Sequence, residues 1–316
     1  MLRSVRPALK PGLTPVWRDR DTLQIGIDSR RAVALTGMAG IAWVISLLDG
    51  SRDRAQVIQA AAHRGIPEET AERVLALLAS AGALDDFPAA TLRELPQPLR
   101  ARLAAELATV SLARGDGDGG ARTLARRLAA QVRIHGSGRV GAGIASLLTT
   151  SGISVTHDDP AEAAGSPRRT LPDLAVLTGR HLPELQAALM QDQVPHLVAS
   201  ASEAIGIVGP LVRPGRTACL RCLDLSRTDR DPAWPLILAQ LAGRPPSPLA
   251  CDAPLAAAVA AQAASQALAF IDRAPGADTV ANATLELVLP GWQWRRRTWP
   301  PHPECSCGSQ ARGTSD

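Results

Sequence analysis

The sequence predicts an α/β protein in two parts: an N-terminal winged-helix-like (α+β) module and a Rossmann-like domain closed by a clip of cysteines. Three observations predict it. Three strand patterns and then three helical patterns fill roughly the first eighty-five residues. A strand at Val132–His135 runs directly into Gly136-Ser137-Gly138-Arg139-Val140-Gly141 and a helix, the order in which such glycines turn the backbone and pack helix on strand. Four of the five cysteines form two tight pairs far apart in the chain, Cys219/Cys222 and Cys305/Cys307. The expected divisions are 1–88 for the module, 89–130 for a helical, Gly/Asp-containing linker, and 131–316 for the domain.

In chain order, Val16–Arg18, Leu23–Ile27 and Ala32–Leu35 read as short strands separated by turns. A helix follows over Met38–Leu48, with Ile41, Val44, Ile45 and Leu48 on one face, and Asp49-Gly50 stops it. A second covers 52–63. Pro67-Glu68-Glu69 opens a third, with Ala71, Val74, Leu75, Leu78 and Ala81 on one face and Gly82 beyond its end. A winged helix raises the question of DNA, but the third helix sets Glu68, Glu69 and Glu72 against a single Arg73, which repels phosphate. The outer strand of a small sheet, with unpaired backbone groups, offers a peptide groove instead. An accessory domain with no ligand is the competing reading.

Residues 87–130 read as helical and Arg/Ala-rich, interrupted by the Gly/Asp run Gly115–Gly120, a flexible tip or linker. After the glycine turn, a second strand, Ile153–His157, ends at Asp158-Asp159, about twenty residues on, where an acidic group meets a ribose. Gly136, Gly138, Gly141 and Asp158 are therefore the nucleotide-type positions; whether a nucleotide binds them is a separate question. Further strands are expected at Pro172–Thr178, His196–Ser200, Ile205–Val212 and Thr284–Leu289, with a helix at Leu182–Asp192. A Pro-rich loop covers 244–248. The Ala-rich stretch Ala256–Phe270, broken by Gln262, Ser265 and Gln266, reads as a buried core helix. Trp292, Trp294 and Trp299, beside Arg295–Arg297, suit a half-buried edge or a partner interface equally well.

Composition narrows the function. Hydrophobic content is 46%, with no uncharged apolar run of membrane length, and Met1-Leu2-Arg3-Ser4 lacks the apolar core of a signal peptide. The expectation is a soluble cytoplasmic protein without membrane contact, where paired thiols stay reduced and bind metal. The 34 basic residues include one lysine, Lys10, which excludes a Walker A loop. A formal charge of +4 without a basic, aromatic-interleaved stripe disfavours nucleic acid. Cys219, Cys222, Cys305 and Cys307 suit a structural zinc, since four thiolates leave no open position; a reducible disulfide is the alternative. Cys251, beside Asp252, is either a transfer cysteine or, as for most lone thiols at a helix start, structural.

At Gly209–Cys222, followed by Asp229-Arg230-Asp231-Pro232-Ala233-Trp234-Pro235, and with His302-Pro303-Glu304 before the second cysteine pair, the sequence resembles a known family. It is similar to the ThiF-like cyclodehydratase partner, or leader-peptide-binding protein, of thiazole/oxazole-modified microcin (TOMM) biosynthesis. The cysteines resemble the zinc clip of ThiF, MoeB and ubiquitin-activating enzymes, and the N-terminal module resembles a RiPP recognition element. The resemblance implies that the module clamps the leader of a ribosomally made precursor peptide. Ala32, Val33, Ala34 and Leu35 would form the edge strand, and Val74, Leu75 and Leu78 of the third helix the wall. It also implies a homodimer that docks a YcaO-type enzyme, which spends ATP to cyclise cysteine, serine or threonine into azolines.

The chain departs from adenylating members of that family. Asp158-Asp159 is followed by Pro160-Ala161-Glu162, with no Arg-Gln, and Thr178 stands about where an aspartate is expected. Lys10 lies in the other module. Without charge clamps for a triphosphate, ATP chemistry in this chain is not expected. A ThiF-like adenylyltransferase acting on a peptide or carrier-protein carboxylate is the alternative function, and a nucleotide-sensing winged-helix regulator a third.

Overall fold

The computed structural model describes residues 6–86, 95–158, 170–178, 183–242 and 250–308. Asp159, the loop at 244–248 and the boundary expected at residue 88 lie outside the described residues. The chain divides into two compact units, Met1–Ala125 and Arg126–Asp316.

In the first unit, β1 (Pro7–Leu9), β2 (Pro15–Trp17), β3 (Thr22–Ile25) and β4 (Val33–Thr36) precede α1 (Ile41–Ser46), α2 (Arg54–His63) and α3 (Glu68–Ser80), and β5 (Leu84–Asp86) follows. β2, β3 and β4 form an antiparallel sheet in that order, so β4 is an edge. β1 pairs with β5, Pro7 opposite Asp86; strands of three residues are too short to show alternation in sequence. Asp53 starts α2 through a capping box with Gln56, and Glu68 and Glu69 sit at the positive end of α3. The apolar stripe of α3, Ala71, Val74, Leu75 and Leu78, joins Leu23, Ile25 and Leu35 from the sheet in one core.

Three more helices belong to the next stretch: α4 (Gln97–Arg102), α5 (Ala104–Arg114) and α6 (Ala121–Ala129). The Gly/Asp run between α5 and α6 is tied down. Asp86 donates its N–H to Gly117 O at 2.7 Å, and the Asp118 carboxylate accepts from Gly120 N at 2.9 Å. Lys10 is 2% exposed. Its Nζ donates to Ser111 O at 2.7 Å and lies 3.5 Å from Asp85 Oδ1, while Ser111 Oγ donates to Asp85 Oδ2 at 2.5 Å. The lone lysine is thus half of a buried ion pair.

The second unit is built on a seven-stranded sheet. Its elements are β6 (Gln131–His135), α7 (Arg139–Thr150), β7 (Ser154–Asp158), β8 (Leu174–Thr178), α8 (Pro183–Gln191), β9 (His196–Ser202) and β10 (Ile205–Val212). They continue with α9 (Leu220–Thr228), α10 (Trp234–Ala242), α11 (Ala253–Ile271), β11 (Ala283–Val288) and β12 (Trp294–Thr298). The strand order is β12-β11-β10-β9-β8-β6-β7, with β7, β6, β8 and β9 parallel and the rest antiparallel. Chain order reverses on either side of β6, so a crevice is expected at the carboxyl ends of β6 and β8.

The aromatic tail expected after β11 is partly the edge strand β12. α11 is long and apolar enough to cross a membrane by length and composition. It packs within the unit instead, burying Leu255, Val259, Ala263 and Ala267 in the sheet core. Gly206 lets it approach, because a Cβ there would meet Val259 Cγ2 at 2.4 Å.

The buried pair makes a stability prediction. Asp85→Ala leaves the Lys10 ammonium without its carboxylate and should cost about 3–5 kcal/mol, whereas Lys10→Met with Asp85→Leu should recover most of that loss. Urea unfolding of the full chain reads both; equal destabilisation by the single and double changes would refute the pairing as the cause.

Candidate functional site

The cysteine cluster is assembled from two turns. Cys219 caps the start of α9, and its carbonyl accepts from Cys222 N at 3.0 Å, so the first pair lies on one helical turn. The second follows β12, where Cys305 N donates to His302 O at 3.0 Å. All four Sγ atoms lie within 4.8 Å of one another. The separations are 3.8 Å for Cys219–Cys222, 3.6 Å for Cys219–Cys305 and 3.6 Å for Cys222–Cys307. A disulfide needs about 2.05 Å. A zinc ion bound tetrahedrally at about 2.3 Å per thiolate places its sulfurs about 3.8 Å apart. The cluster fits a four-thiolate metal and not a disulfide.

His302 supports this cluster and is not a ligand. Its Nδ1 accepts from Glu304 N at 3.2 Å, so Nε2 carries the proton and donates to Asp229 Oδ2 at 2.9 Å. Trp299, 1% exposed, packs beside Cys219, Cys222 and Cys305. Its indole N–H donates to Thr284 Oγ1 at 2.9 Å, and the guanidinium of Arg297 lies 4.3 Å from its ring centre. Trp234 Nε1 donates to Asp224 at 3.2 Å. Asp229 and Trp234, singled out in sequence as part of a motif, are therefore braces around the clip. Burial pushes the Cys219 thiol well above the ordinary thiol range and the Cys305 thiol up to about 11.

At the glycine turn, Gly136 is required by close approach. It has φ of 116°, and a Cβ would fall 2.0 Å from Thr178 O. Thr178 Oγ1 donates to His135 O at 3.2 Å, and His157 Nε2 donates to Gly136 O at 2.6 Å. Gly138, with φ of 102°, has open space where its Cβ would be, and Gly141 packs against Thr178 and His157. Asp158 ends β7 opposite His135. Cys251 lies nearby: its carbonyl accepts from Arg139 at 3.4 Å. Burial and then Asp252 raise its thiol pKa, the opposite of what a transfer nucleophile needs.

The groove expected in the first unit requires a correction. Val74, Leu75 and Leu78 are 0, 1 and 0% exposed, and Leu35 is 1% exposed. These four side chains hold helix to sheet and cannot touch a peptide while the core stays closed. The helical periodicity that found them reports burial, which a groove wall and a core share. Ala34 is exposed and Ala32 and Val33 are half-buried; on α3 the exposed apolar residues include Ala76 and Leu77.

No family model matches the chain, and no curated protein matches its sequence. Solved structures match its fold. The heterocyclase TruD aligns at 20% identity with a TM-score of 0.65, over 97% of this chain and 43% of that one. A heterocyclase in complex with substrate and cofactor aligns at 20% identity and 0.65, over 97% and 40%. E. coli MccB, solved with AMPCPP and MccA, aligns at 15% identity and 0.65, over 96% and 99%. This chain thus spans less than half the length of the heterocyclases and nearly all of MccB.

Metal content and its pH dependence test the cluster. Protons and metal compete for the thiolates. The raised Cys219 and Cys305 pKa values hold protons more tightly, so metal affinity should rise with pH and release on acidification should begin earlier than for exposed thiols. The purified chain should carry about one zinc, and Cys222→Ser should remove it and lower the unfolding midpoint by on the order of 10 °C. Stoichiometric zinc in that variant would contradict the assignment.

Proposed function

We propose that this chain binds the leader of a ribosomally synthesised precursor peptide and presents it to a YcaO-type, ATP-dependent cyclodehydratase that forms thiazolines or oxazolines. The first unit acts as a winged-helix-like RiPP recognition element, within residues 1–88, and the second as a ThiF-like Rossmann domain, from 131 onward, that docks the partner. Zinc is structural, the chain works as a homodimer in the cytoplasm, and catalysis belongs to the partner.

The observation that carries this reading is the edge of β4, which has no further partner strand among the described residues. Gly37 N donates to Asp21 O at 3.1 Å. Continuing the antiparallel alternation from that bond turns the N–H and C=O of Val33 and Leu35 inward to β3, and those of Ala34 outward. An extended peptide adds there as a further strand. The likeness to MccB solved with MccA supports a peptide as the occupant. A peptide's side chains would meet Ala34, Val33 and the exposed Leu77 face of α3, not the buried Val74, Leu75 and Leu78.

Adenylation by the chain itself is the second reading, favoured by the MccB likeness over 99% of that chain, solved with AMPCPP, and by the open space at Gly138. The residues around the glycine turn weigh against it. Among the described residues, Thr178 and His157 supply a hydroxyl and an imidazole where a metal-bound triphosphate needs acidic and cationic clamps, Arg139 donates to Cys251 O, and Lys10 is committed to Asp85 in the first unit.

A proline separates binding from folding. Ala34→Pro removes an outward N–H and leaves the β3 ladder intact, so the unfolding midpoint should hold while leader affinity falls at least about tenfold. Fluorescence anisotropy with the precursor peptide encoded beside the gene reads the affinity. Unchanged affinity, or ATP–pyrophosphate exchange by the purified chain without a partner, would sink the proposal.

A further inference from the structure

A cavity of about 890 Å³ lies within the second unit at the opposite end of the strands from the glycine turn, among the starts of β6, β8 and β9 and the end of α11. Arg126, Arg213, Arg216 and Arg273 line it, with Asp173 as the carboxylate and Phe270 on its apolar side. Asp173 is already engaged, accepting from Gln131 N at 2.8 Å. Arg126 gives one N–H to Asp272 O at 3.1 Å, and the Asp272 carboxylate is held by Nε and Nη2 of Arg127. Arg213 pairs with the exposed Asp278 and lies over the Phe270 ring, yet its buried Nε has no hydrogen-bond partner. Arg216 and Arg273 have no side-chain partner among the described residues. The cavity therefore concentrates positive charge that its own carboxylates do not balance.

The backbone at its rim points the same way. Arg273 and Gln193 both line the cavity, and both hold left-handed φ, 54° and 57°. Each follows a helix, and hydrogen bonds from Ala274 N to Ala269 O and from Val194 N to Leu189 O close the turn in the arrangement that glycine fills at least strain. Two long polar side chains stand where glycine is preferred, and local strain of this kind gathers at ligand sites.

We propose that this cavity binds a nucleoside diphosphate or triphosphate, with Arg126, Arg216 and Arg273 on the phosphates and the flat base against the Phe270 side. Planar guanidinium forks match phosphate oxygens two at a time. Several arginines exceed what one carboxylate would satisfy, and the volume suits a nucleotide. The site is separate from the glycine turn and independent of leader binding.

The test uses the full chain and ADP as the probe, by calorimetry at low ionic strength. ADP should bind in the micromolar range, pyrophosphate should displace it and adenosine should not. Arg216→Glu with Arg273→Glu should weaken binding by about 50-fold or more, and Arg139→Glu at the glycine turn should leave it unchanged. Arg216→Glu alone, on an exposed side chain, should weaken it about tenfold if the double variant does not fold. Leader affinity should be the same in all of them, so failure here leaves the peptide reading standing. Absence of ADP binding, loss in Arg139→Glu only, displacement by adenosine alone, or capture of an oligoglutamate peptide in place of ADP would overturn the proposal. So would a double variant that lowers the unfolding midpoint without changing ADP affinity, because the arginines would then serve only the fold.

Discussion

Three buried sulfurs and a half-buried fourth bring two distant stretches of the second unit together, in an arrangement that fits a cation between them. Sulfurs 3.6–3.8 Å apart are too far for a disulfide, and burial disfavours ionisation of the Cys219 and Cys305 thiols. A dication at their centre removes both difficulties. The tie then places Trp299 in the core beside the first cysteine pair, and the His302–Asp229 bond fixes the turn that carries the second. Four thiolate ligands would complete the shell of such an ion, so the clip would supply rigidity and no reaction.

The other end of the unit has the outline of a nucleotide site with different contents. Strand order reverses at β6, and the glycines allow the close turn, yet Thr178 and His157 spend side-chain hydrogen bonds on the backbone there. On the proposed reading this is a platform inherited with its shape and used for docking. On the same reading, the edge of β4 would carry the binding in the first unit, where it needs backbone groups and no particular chemistry.

Signals that depend on local spacing were legible in the sequence. The cysteine pairs, the glycine turn after a strand, and the apolar stripes of α3 and α11 each predicted an element that the structure contains. What pairing between distant residues creates was not legible. β1 and β5 are too short to declare themselves, and the fate of Lys10 depends on Asp85 and Ser111, far away in sequence. Periodicity placed Val74, Leu75 and Leu78 on the inner face of a helix but could not tell a groove from a core, and packing decided for the core. The arginine-lined cavity was hidden for a further reason: in a chain whose basic residues are nearly all arginine, no single one stands out.

Zinc-edge X-ray absorption on the purified chain tests the clip most directly. The account predicts four sulfur neighbours at about 2.3 Å and no nitrogen or oxygen in the shell. Three sulfurs with a nitrogen or oxygen neighbour would contradict it, by returning His302 or water to the metal and reopening the site to chemistry.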